Sequence, residues 1–330
     1  MVRRVRTFAF LAVVLGLAAS GNQLLGQSTP AADEFAGLHF RNIGPAQASG
    51  RVSDIAVYEA NPATFYVGSA HGGVWKTTNN GATFTPQFQH DGLMSVGDLA
   101  VSQKTPDLVW LGTGESNNRQ SASWGGGIFK STDGGANWKL MGLANSKHIG
   151  RIVIDPDDNN IVLVAAAGSL WGPGGERGVY KTTDGGATWK AVLTGDENTG
   201  ANDIVMAGSD HRILYASLYQ RQRSQCCMNG AGPGSGIYKS TDGGDTWTKL
   251  TNGLPTGNLG RIGLDVYRAS ANIVYAEVQA EGPGGGGGRG AGGGGGAGGG
   301  GAAVIARLGA AALSISVVMT RSRPRTVARP

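Results

Sequence analysis

The sequence predicts an all-β protein, a partial β-propeller built from four-stranded antiparallel blades. The first observation is a twelve-residue segment that occurs four times: GVWKTTNNGATF from Gly73, GIFKSTDGGANW from Gly127, GVYKTTDGGATW from Gly178 and GIYKSTDGGDTW from Gly236. The second is the spacing, because the copies begin 54, 51 and 58 residues apart. A period of about fifty residues, with a strand and a polar glycine-rich turn in each unit, is typical of repeat proteins whose units stack.

The third repeat shows the plan of one blade most clearly. Its pattern predicts an inner strand over 151–154, a turn over 155–160 and further strands over 161–166, 178–182 and 188–193. Four antiparallel strands in each repeat describe a propeller blade. The other complete blades are predicted at 51–88, 96–141 and 203–250, and half of a fifth at 260–267 and 271–278, where the pattern stops.

The repeated segment itself predicts a β-hairpin with a structural turn. In Thr183-Asp184-Gly185-Gly186 the glycines supply positive φ, and the aspartate can accept hydrogen bonds from the turn N–H groups and from the hydroxyl two residues earlier. A tryptophan then covers the hairpin with apolar surface. The first copy departs from this pattern, with Asn79 in place of Asp and Phe84 in place of Trp. The residues given this structural role are Asn79, Ser131, Asp133, Gly135, Trp138, Thr182, Asp184, Gly186, Trp189, Ser240, Asp242, Gly244 and Trp247.

These four segments resemble the Asp-box, or BNR, repeat of sialidases, xyloglucanases and the sortilin N-terminal domain. The resemblance covers residues 35–281. FRNIGP from Phe40, GTGESNNRQSASWGGGIFKS from Gly112 and SLWGPGGERGVYKTTDGG from Ser169 further resemble large secreted bacterial proteins of sortilin-like or glycosyl-hydrolase-like type. The resemblance implies that the box is structural and that function lies elsewhere in the chain.

The loops between the second and third strands of each blade are the predicted binding surface. They emerge at the rim opposite the repeated turns, and three of them, 113–126, 168–177 and 218–235, are longer than closure requires. Their aromatic, acidic, amide and arginine side chains suit sugar rings or an extended peptide. Packing of Trp124 and Trp171 between blades is the alternative. The candidate ligand-binding residues are Glu115, Asn117, Arg119, Trp124, Trp171, Arg177 and Tyr219.

No catalytic residue is assigned from the sequence. The resemblance to xyloglucanases implies a catalytic aspartate in the first blade, but alignment on YVGSAHGGVWKT from Tyr66 places His71 there, and the partner acid belongs to a second propeller. Sialidases need an arginine triad and a tyrosine nucleophile. In this chain only Arg41, within FRNIGP, faintly resembles one of these residues. The sequence therefore favours an exported binding scaffold for polysaccharide or extended peptide over a truncated glycoside hydrolase or a module that only holds partner domains.

The charge distribution argues against a nucleic-acid partner. Of the 28 Lys and Arg residues, nine lie within 1–6 or beyond 282, which leaves 19 against 23 acidic residues and a core charge of about −4. Residues 1–26 read as a secretory signal peptide, with a charged start and a short apolar stretch, so the protein is predicted to be secreted or periplasmic by bacterial export.

The remaining segments carry weaker predictions. The propeller is expected over 27–282, a glycine-rich linker over 283–301 and an atypical tail over 302–330, interpreted as a frameshift product or a weak membrane anchor. No cofactor and no metal site are predicted, since 155–159 only superficially resembles a calcium loop. Cys226 and Cys227 are adjacent, and the sequence allows either a disulfide between them or two free thiols.

Overall fold

The computed structural model describes residues 51–89, 93–119 and 122–280, together with the backbone of 302–308 and 315–319. These residues form five four-stranded antiparallel sheets and one small hairpin. Within each large sheet the strands follow one another in chain order, as they do in a propeller blade. The prediction of an all-β partial propeller with four-stranded blades is confirmed.

The strand bounds follow the repeat. Blade 1 contains β1 (Val52–Val57), β2 (Phe65–Ser69), β3 (Gly73–Thr77) and β4 (Thr85–Pro86). Blade 2 contains β5 (Val96–Val101), β6 (Val109–Thr113), β7 (Ile128–Ser131) and β8 (Lys139–Gly142). Blade 3 contains β9 (Ile149–Ile154), β10 (Val162–Ala166), β11 (Gly178–Thr182) and β12 (Lys190–Leu193). Blade 4 contains β13 (Thr199–Met206), β14 (Leu214–Gln220), β17 (Gly236–Ser240) and β18 (Thr248–Leu250), with the hairpin β15 (Gln222–Arg223) and β16 (Met228–Asn229) in its loop.

Blade 5 has two strands more than the sequence predicted. After β19 (Leu259–Val266) and β20 (Val274–Ala280), the sheet continues with β21 (Ala302–Leu308) and β22 (Ile315–Met319). Strand β21 pairs with β20 in antiparallel register, with Val278 opposite Val304. The sequence assigned 302–330 to a tail because the repeated turn is missing there, whereas strand pairing needs only backbone N–H and C=O groups.

Two of the predicted segments cannot be compared with the structure. The predicted signal peptide (1–26) and glycine-rich linker (283–301) lie outside the described residues. Among the residues that are described, no helix is long and apolar enough to cross a membrane.

The hydrophobic core lies between neighbouring blades rather than inside any one of them. Consecutive inner strands pack against each other, β1 on β5, β5 on β9, β9 on β13 and β13 on β19. Each boundary has its own buried cluster, and each large side chain buried there stabilises the fold by about 1.5–3 kcal/mol. Representative pairs, from the first boundary to the last, are Tyr66 and Leu111, Trp110 and Ile149, Leu163 and Leu214, and Ile237 and Ile262.

Charged side chains on the inner strands add hydrogen bonds across these boundaries. Asp54 on β1 accepts from the N–H of Leu99 on β5, at 2.9 Å. Arg151 on β9 donates from Nε to Asp203 of blade 4 at 3.0 Å, and its Nη1 lies 3.9 Å from Asp98 of blade 2. Blades 1 and 5 also touch, through an exposed ion pair between Glu59 and Arg268.

Candidate functional site

The repeated turns are closed by one hydrogen-bond pattern. In blade 3 the Thr182 hydroxyl donates to Asp184 Oδ1 at 2.7 Å and accepts from the Gly186 N–H at 2.9 Å. Asp184 Oδ1 also accepts from the N–H of Thr188 at 2.9 Å. Gly186 has φ 94°, and a Cβ there would lie 2.5 Å from the Trp110 ring, so both the conformation and the space require glycine. The same bonds recur in Ser131, Asp133 and Gly135, and in Ser240, Asp242 and Gly244.

The first copy reaches the same geometry with an amide. Asn79 Oδ1 accepts from the Thr77 hydroxyl at 3.0 Å and from the Thr83 N–H at 2.9 Å. Its Nδ2 donates to the Thr83 hydroxyl, whereas in blade 3 the hydroxyl of Thr188 donates to Asp184 Oδ2. A hydroxyl group both donates and accepts, so the turn tolerates either Asn or Asp.

The tryptophans of the repeat donate hydrogen bonds to backbone carbonyls of the scaffold. Trp138 Nε1 donates to the carbonyl of Gln87 at 3.0 Å, and Trp189 Nε1 to that of Met141 at 2.8 Å. Trp247 instead donates to Gly244 in its own turn, at 3.1 Å. Two of the three rings therefore link one blade to the next, and their indole N–H groups are engaged by the scaffold.

Hydrogen bonds also tune the turn carboxylates. Bonds from the Asn137 side chain and N–H, and from Ser131, lower the pKa of Asp133 to about 2. Equivalent bonds from Thr188 and Thr246 lower the pKa values of Asp184 and Asp242. The three carboxylates are therefore ionised at neutral pH and already saturated with donors, which suits a structural role.

Two tryptophans on the opposite loops are exposed. The side chain of Trp124, on the β6–β7 loop, is 54% exposed, and that of Trp171, on the β10–β11 loop, is 42% exposed. The Lys147 ammonium lies 5.9 Å from the centroid of the Trp124 ring. Arg119, on the same loop as Trp124, is exposed as well. These three predicted ligand residues are accessible from solvent.

Glu115, which is buried, and Asn117, which is half-buried, belong to one polar network. Arg51 donates to both carboxylate oxygens of Glu115, with 2.7 Å between Nε and Oε1. Asn117 donates to the same Oε1 at 3.1 Å and accepts from Arg261 of blade 5 at 3.0 Å. Burial alone would raise the pKa of Glu115, but the hydrogen bonds from Arg51 and Asn117 lower it. Glu115 therefore stays ionised, and the network joins blades 1, 2 and 5.

Arg177 is buried in its own loop rather than presented to a ligand. Its guanidinium donates to four backbone carbonyls of that loop, at 2.6–3.1 Å. The acceptors belong to Ala167, Ser169, Gly172 and Gly174. Arg177 thus holds the loop that carries Trp171, and we place it outside the accessible surface.

Tyr219 is likewise buried, at a junction between the long loops of blades 2 and 4. Its hydroxyl accepts from Asn118 Nδ2 at 2.6 Å. Arg221 donates from Nη1 to the Ser116 carbonyl at 2.7 Å and to Asn118 Oδ1 at 3.0 Å. Arg223 donates to the Asn118 carbonyl at 3.3 Å. These residues are about one hundred positions apart in sequence, and they fix the two loops to each other.

Sequence reasoning missed part of this network. The sequence pattern predicts only that Arg51 and Arg261 begin inner strands, and it gives no signal for His148, which is fully buried. The sequence does contain a pattern that could have identified these arginines, because both follow a glycine at the start of an inner strand, as Arg151 also does. Arg221 and Arg223 lie within the predicted long loop 218–235, but their partners on blade 2 have no local signature.

One group of described residues has the geometry to hold a metal ion. Ligand atoms of Asp155, Asp157 and His211 lie within 4.8 Å of one another. His211 Nδ1 is 2.8 Å from Asp157 Oδ2 and 3.8 Å from Asp155 Oδ1. The sequence predicted no metal site, because His211 comes from the adjacent blade and its approach to the 155–159 turn could not be read from spacing.

A disulfide lies within the long loop of blade 4, whereas two clefts lie apart from the long loops. Cys226 and Cys227 are joined by a disulfide in the turn of the β15–β16 hairpin. Two clefts, of about 440 and 520 Å³, open beside the inner strands and share Arg151 and Arg268 among their lining residues. Neither cleft contains any predicted ligand residue.

The chain is similar to proteins of two kinds. Residues 126–278 match the family model Sortilin-Vps10, described as sortilin, neurotensin receptor 3. A xyloglucanase from Paenibacillus sp is 29% identical over 293 residues, which are 80% of this chain and 27% of that protein. Xyloglucanase Xgh74A of Acetivibrio thermocellus is 24% identical over 309 residues, 83% of this chain and 34% of that protein. The chain thus spans about a third of the length of these relatives.

Solved structures agree on the fold. An ancestral GH74 enzyme superposes with a TM-score of 0.60 at 19% identity, over 82% of this chain and 31% of that chain. The GH74 enzyme of Niastella koreensis superposes with a TM-score of 0.57 at 20% identity, over 82% of this chain and 38% of that chain. With the repeated turns and the five four-stranded blades, these matches show that the chain has a β-propeller fold similar to that of sortilin-like and xyloglucanase-like proteins.

Proposed function

We propose that the long-loop surface of this propeller binds polysaccharide, with sugar rings stacked on Trp124 and Trp171. The observation that carries the proposal is the contrast among the seven tryptophans of the chain. Trp110 is buried, and the indole N–H groups of Trp75, Trp138, Trp189 and Trp247 donate to backbone carbonyls. Trp124 and Trp171 are the two that expose large ring surfaces, and both lie on loops held by buried networks.

The surroundings of these rings suit a carbohydrate. Aromatic faces provide apolar contact for the C–H faces of sugar rings, while neighbouring polar groups orient the hydroxyls. Lys147 supplies a donor close to Trp124, and Arg119 is an exposed donor on the same loop. The relatives are named xyloglucanases, so xyloglucan is the first polysaccharide to test.

A glycoside hydrolase is the second candidate, favoured by the same names. Such enzymes commonly use two carboxyl groups, one of them a general acid with a raised pKa. The pKa of Glu115 is lowered, so this residue suits the ionised partner rather than the acid. His71 occupies the position where the resemblance implied a catalytic aspartate. For these reasons we favour binding over hydrolysis.

The test is to measure binding and cleavage on the same full-length protein. Retardation in gels containing xyloglucan, and calorimetric titration with xyloglucan oligosaccharides, report binding, while release of reducing ends reports hydrolysis. Binding without new reducing ends supports the scaffold, and release of reducing ends supports the hydrolase. Failure to bind xyloglucan, cellulose or other neutral glycans, with retention of an extended peptide library, would overturn the carbohydrate proposal.

A further inference from the structure

The interior beneath the loop surface holds an arginine whose donors are only half used. Arg221 is 1% exposed, and its Nη1 makes the two bonds to blade 2 described above. Its Nε and Nη2 atoms are buried and have no hydrogen-bond partner. A buried polar group without a partner is costly, and a buried cation without a counter-charge more so, so the site calls for another group.

The two unused nitrogens lie on the same edge of the guanidinium. On that edge the Nε and Nη2 hydrogens point in parallel, as a fork that matches two oxygens of a carboxylate or phosphate group. A single water molecule would satisfy one hydrogen of the fork well, but would leave the charge uncompensated. The unpartnered pair of donors therefore favours an oxyanion over water.

The neighbours of Arg221 strengthen the case. Burial, together with nearby Arg261 and Arg177, lowers the pKa of Arg221 to about 10, while Tyr219 acts in the opposite sense. None of the ion pairs between described residues includes Arg177, Arg221, Arg223 or Arg261. Carboxylates do act on two of these arginines: Asp203 and Glu115 on Arg261, and Asp196 and Glu197 on Arg177. No carboxylate is among the groups that shift the pKa of Arg221 itself. Arg221 is thus a buried cation with no carboxylate partner among the described residues.

Further unused donors lie around the same arginine. Arg223 Nε is buried without a partner, and so are both ring nitrogens of His148. Burial, followed by the field of Arg221, lowers the pKa of His148 to about 3, so its ring is neutral at physiological pH and has one N–H to donate. Neither residue contributes a carboxylate or another anion that could balance Arg221.

We propose that Arg221 binds a small oxyanion through Nε and Nη2, at the junction where the long loops of blades 2 and 4 meet. The bound anion balances the arginine cluster and fixes the junction, which lies beneath the surface that carries Trp124. Its chemistry is that of a carboxylate or phosphate group. The source is either a free inorganic anion or the carboxylate of an acidic sugar. This inference does not depend on the proposed binding of neutral polysaccharide.

Thermal denaturation of the full-length protein in matched salts tests the proposal. Sodium phosphate and sodium glucuronate are each titrated against sodium chloride at constant ionic strength, and calorimetry gives the stoichiometry. We expect a saturable rise in Tm with one site per chain. Phosphate alone raising Tm would identify a free inorganic anion, and glucuronate acting at lower concentration would identify an acidic sugar. No rise above that in chloride with either anion would overturn the proposal.

Substitutions separate this site from general ionic effects. Arg221→Lys keeps the positive charge but removes the fork, so we expect the dissociation constant of the effective anion to rise about tenfold or more. Arg212→Gln removes an exposed arginine from the turn between β13 and β14, away from the long loops, and should leave the anion response unchanged. An equal response in Arg221→Lys and the wild type would overturn the assignment. If Arg221→Lys fails to fold, Asn118→Ala, which releases Arg221 Nη1, should still change the anion affinity.

Discussion

The Asp98 carboxylate in blade 2 accepts a hydrogen bond from the backbone N–H of Ile152 in blade 3, with 2.7 Å between Oδ2 and N. Asp54 makes the same contact to Leu99 at the preceding boundary, and Asp203 accepts from Leu264 at 2.9 Å between blades 4 and 5. Burial, with a contribution from Asp54, raises the pKa of Asp98 well above its usual range. Aspartate side chains on the inner strands therefore accept hydrogen bonds from backbone N–H groups of the next blade. Without them, these N–H groups would be buried between blades with no acceptor.

Replacing Asp98 tests this role directly. In Asp98→Ala the N–H of Ile152 loses its buried acceptor, so we expect the free energy of unfolding to fall by about 1–3 kcal/mol. Asp98→Asn keeps a side-chain oxygen and serves as the matched control, with a smaller loss. Urea denaturation monitored by tryptophan fluorescence measures both variants. Equal stability of the Ala variant and the wild type would show that the contact contributes nothing.

The repeated turn gives a second prediction, with a control taken from the chain itself. Because Asn79 forms the turn of blade 1, Asp184→Asn should preserve the turn of blade 3 and leave Tm nearly unchanged. Asp184→Ala removes the acceptor for the Thr182 hydroxyl and the Thr188 N–H, and should lower Tm. Thr182→Val removes a buried hydroxyl that closes the same turn, and should cost about 1–3 kcal/mol.

Differential scanning calorimetry distinguishes these outcomes. The expected order of Tm is wild type, then Asp184→Asn close to it, then Asp184→Ala and Thr182→Val. An Asp184→Ala protein as stable as the wild type would mean that the conserved geometry of the turn does not stabilise the fold.

The pKa of Asp133 predicts a specific dependence of stability on pH. Its folded value of about 2 lies below the unfolded value of about 3.9. A group whose pKa is lowered on folding contributes stability that is present above pH 4 and is lost as the pH falls toward 2. The wild type should therefore lose stability relative to Asp133→Asn across that range. The comparison cancels the contributions of other groups, including Asp98, whose raised pKa acts in the opposite direction.

Urea denaturation of both proteins at pH 3, 4, 5 and 7 measures the effect. The difference in unfolding free energy should be constant between pH 5 and 7 and should shrink at pH 3. A difference that is the same at all four values would contradict the assignment of the low pKa to the hydrogen bonds from Asn137 and Ser131.

The blades could be predicted from the sequence because their signals are local. The third strand of blade 3 was predicted over 178–182 and is found there, since the alternating pattern and the Gly-Gly turn lie within twelve residues. The inner strand of blade 3 begins at Ile149, two residues before the predicted start at 151. Strands β21 and β22 escaped prediction because no repeated turn marks them.

The candidate site was predicted less well because its contacts are long-range. Arg177 and Tyr219 have the composition of ligand-binding residues, yet Arg177 is satisfied by carbonyls of its own loop and Tyr219 by Asn118. Arg221 reaches Ser116, 105 residues away, and such a contact leaves no trace in residue spacing. Exposure, which separates Trp124 and Trp171 from the other tryptophans, is also a property of the fold and not of the motif.

The final prediction concerns these two tryptophans. Trp124→Ala and Trp171→Ala should each weaken binding of xyloglucan oligosaccharides by about tenfold, since one lost aromatic stacking contact corresponds to roughly 1 kcal/mol or more. Tm should change little, because exposed side chains away from buried networks contribute within about 0.5 kcal/mol. Tyr267→Ala is the matched control, as Tyr267 is 51% exposed but lies on the turn between β19 and β20, at the rim opposite the long loops. Calorimetric titration and thermal denaturation of the same preparations give both quantities.

If both variants lose stability in proportion to affinity, the two rings pack between blades, which is the alternative that the sequence left open. If affinity and Tm are both unchanged, the sugar-binding surface lies elsewhere on the propeller.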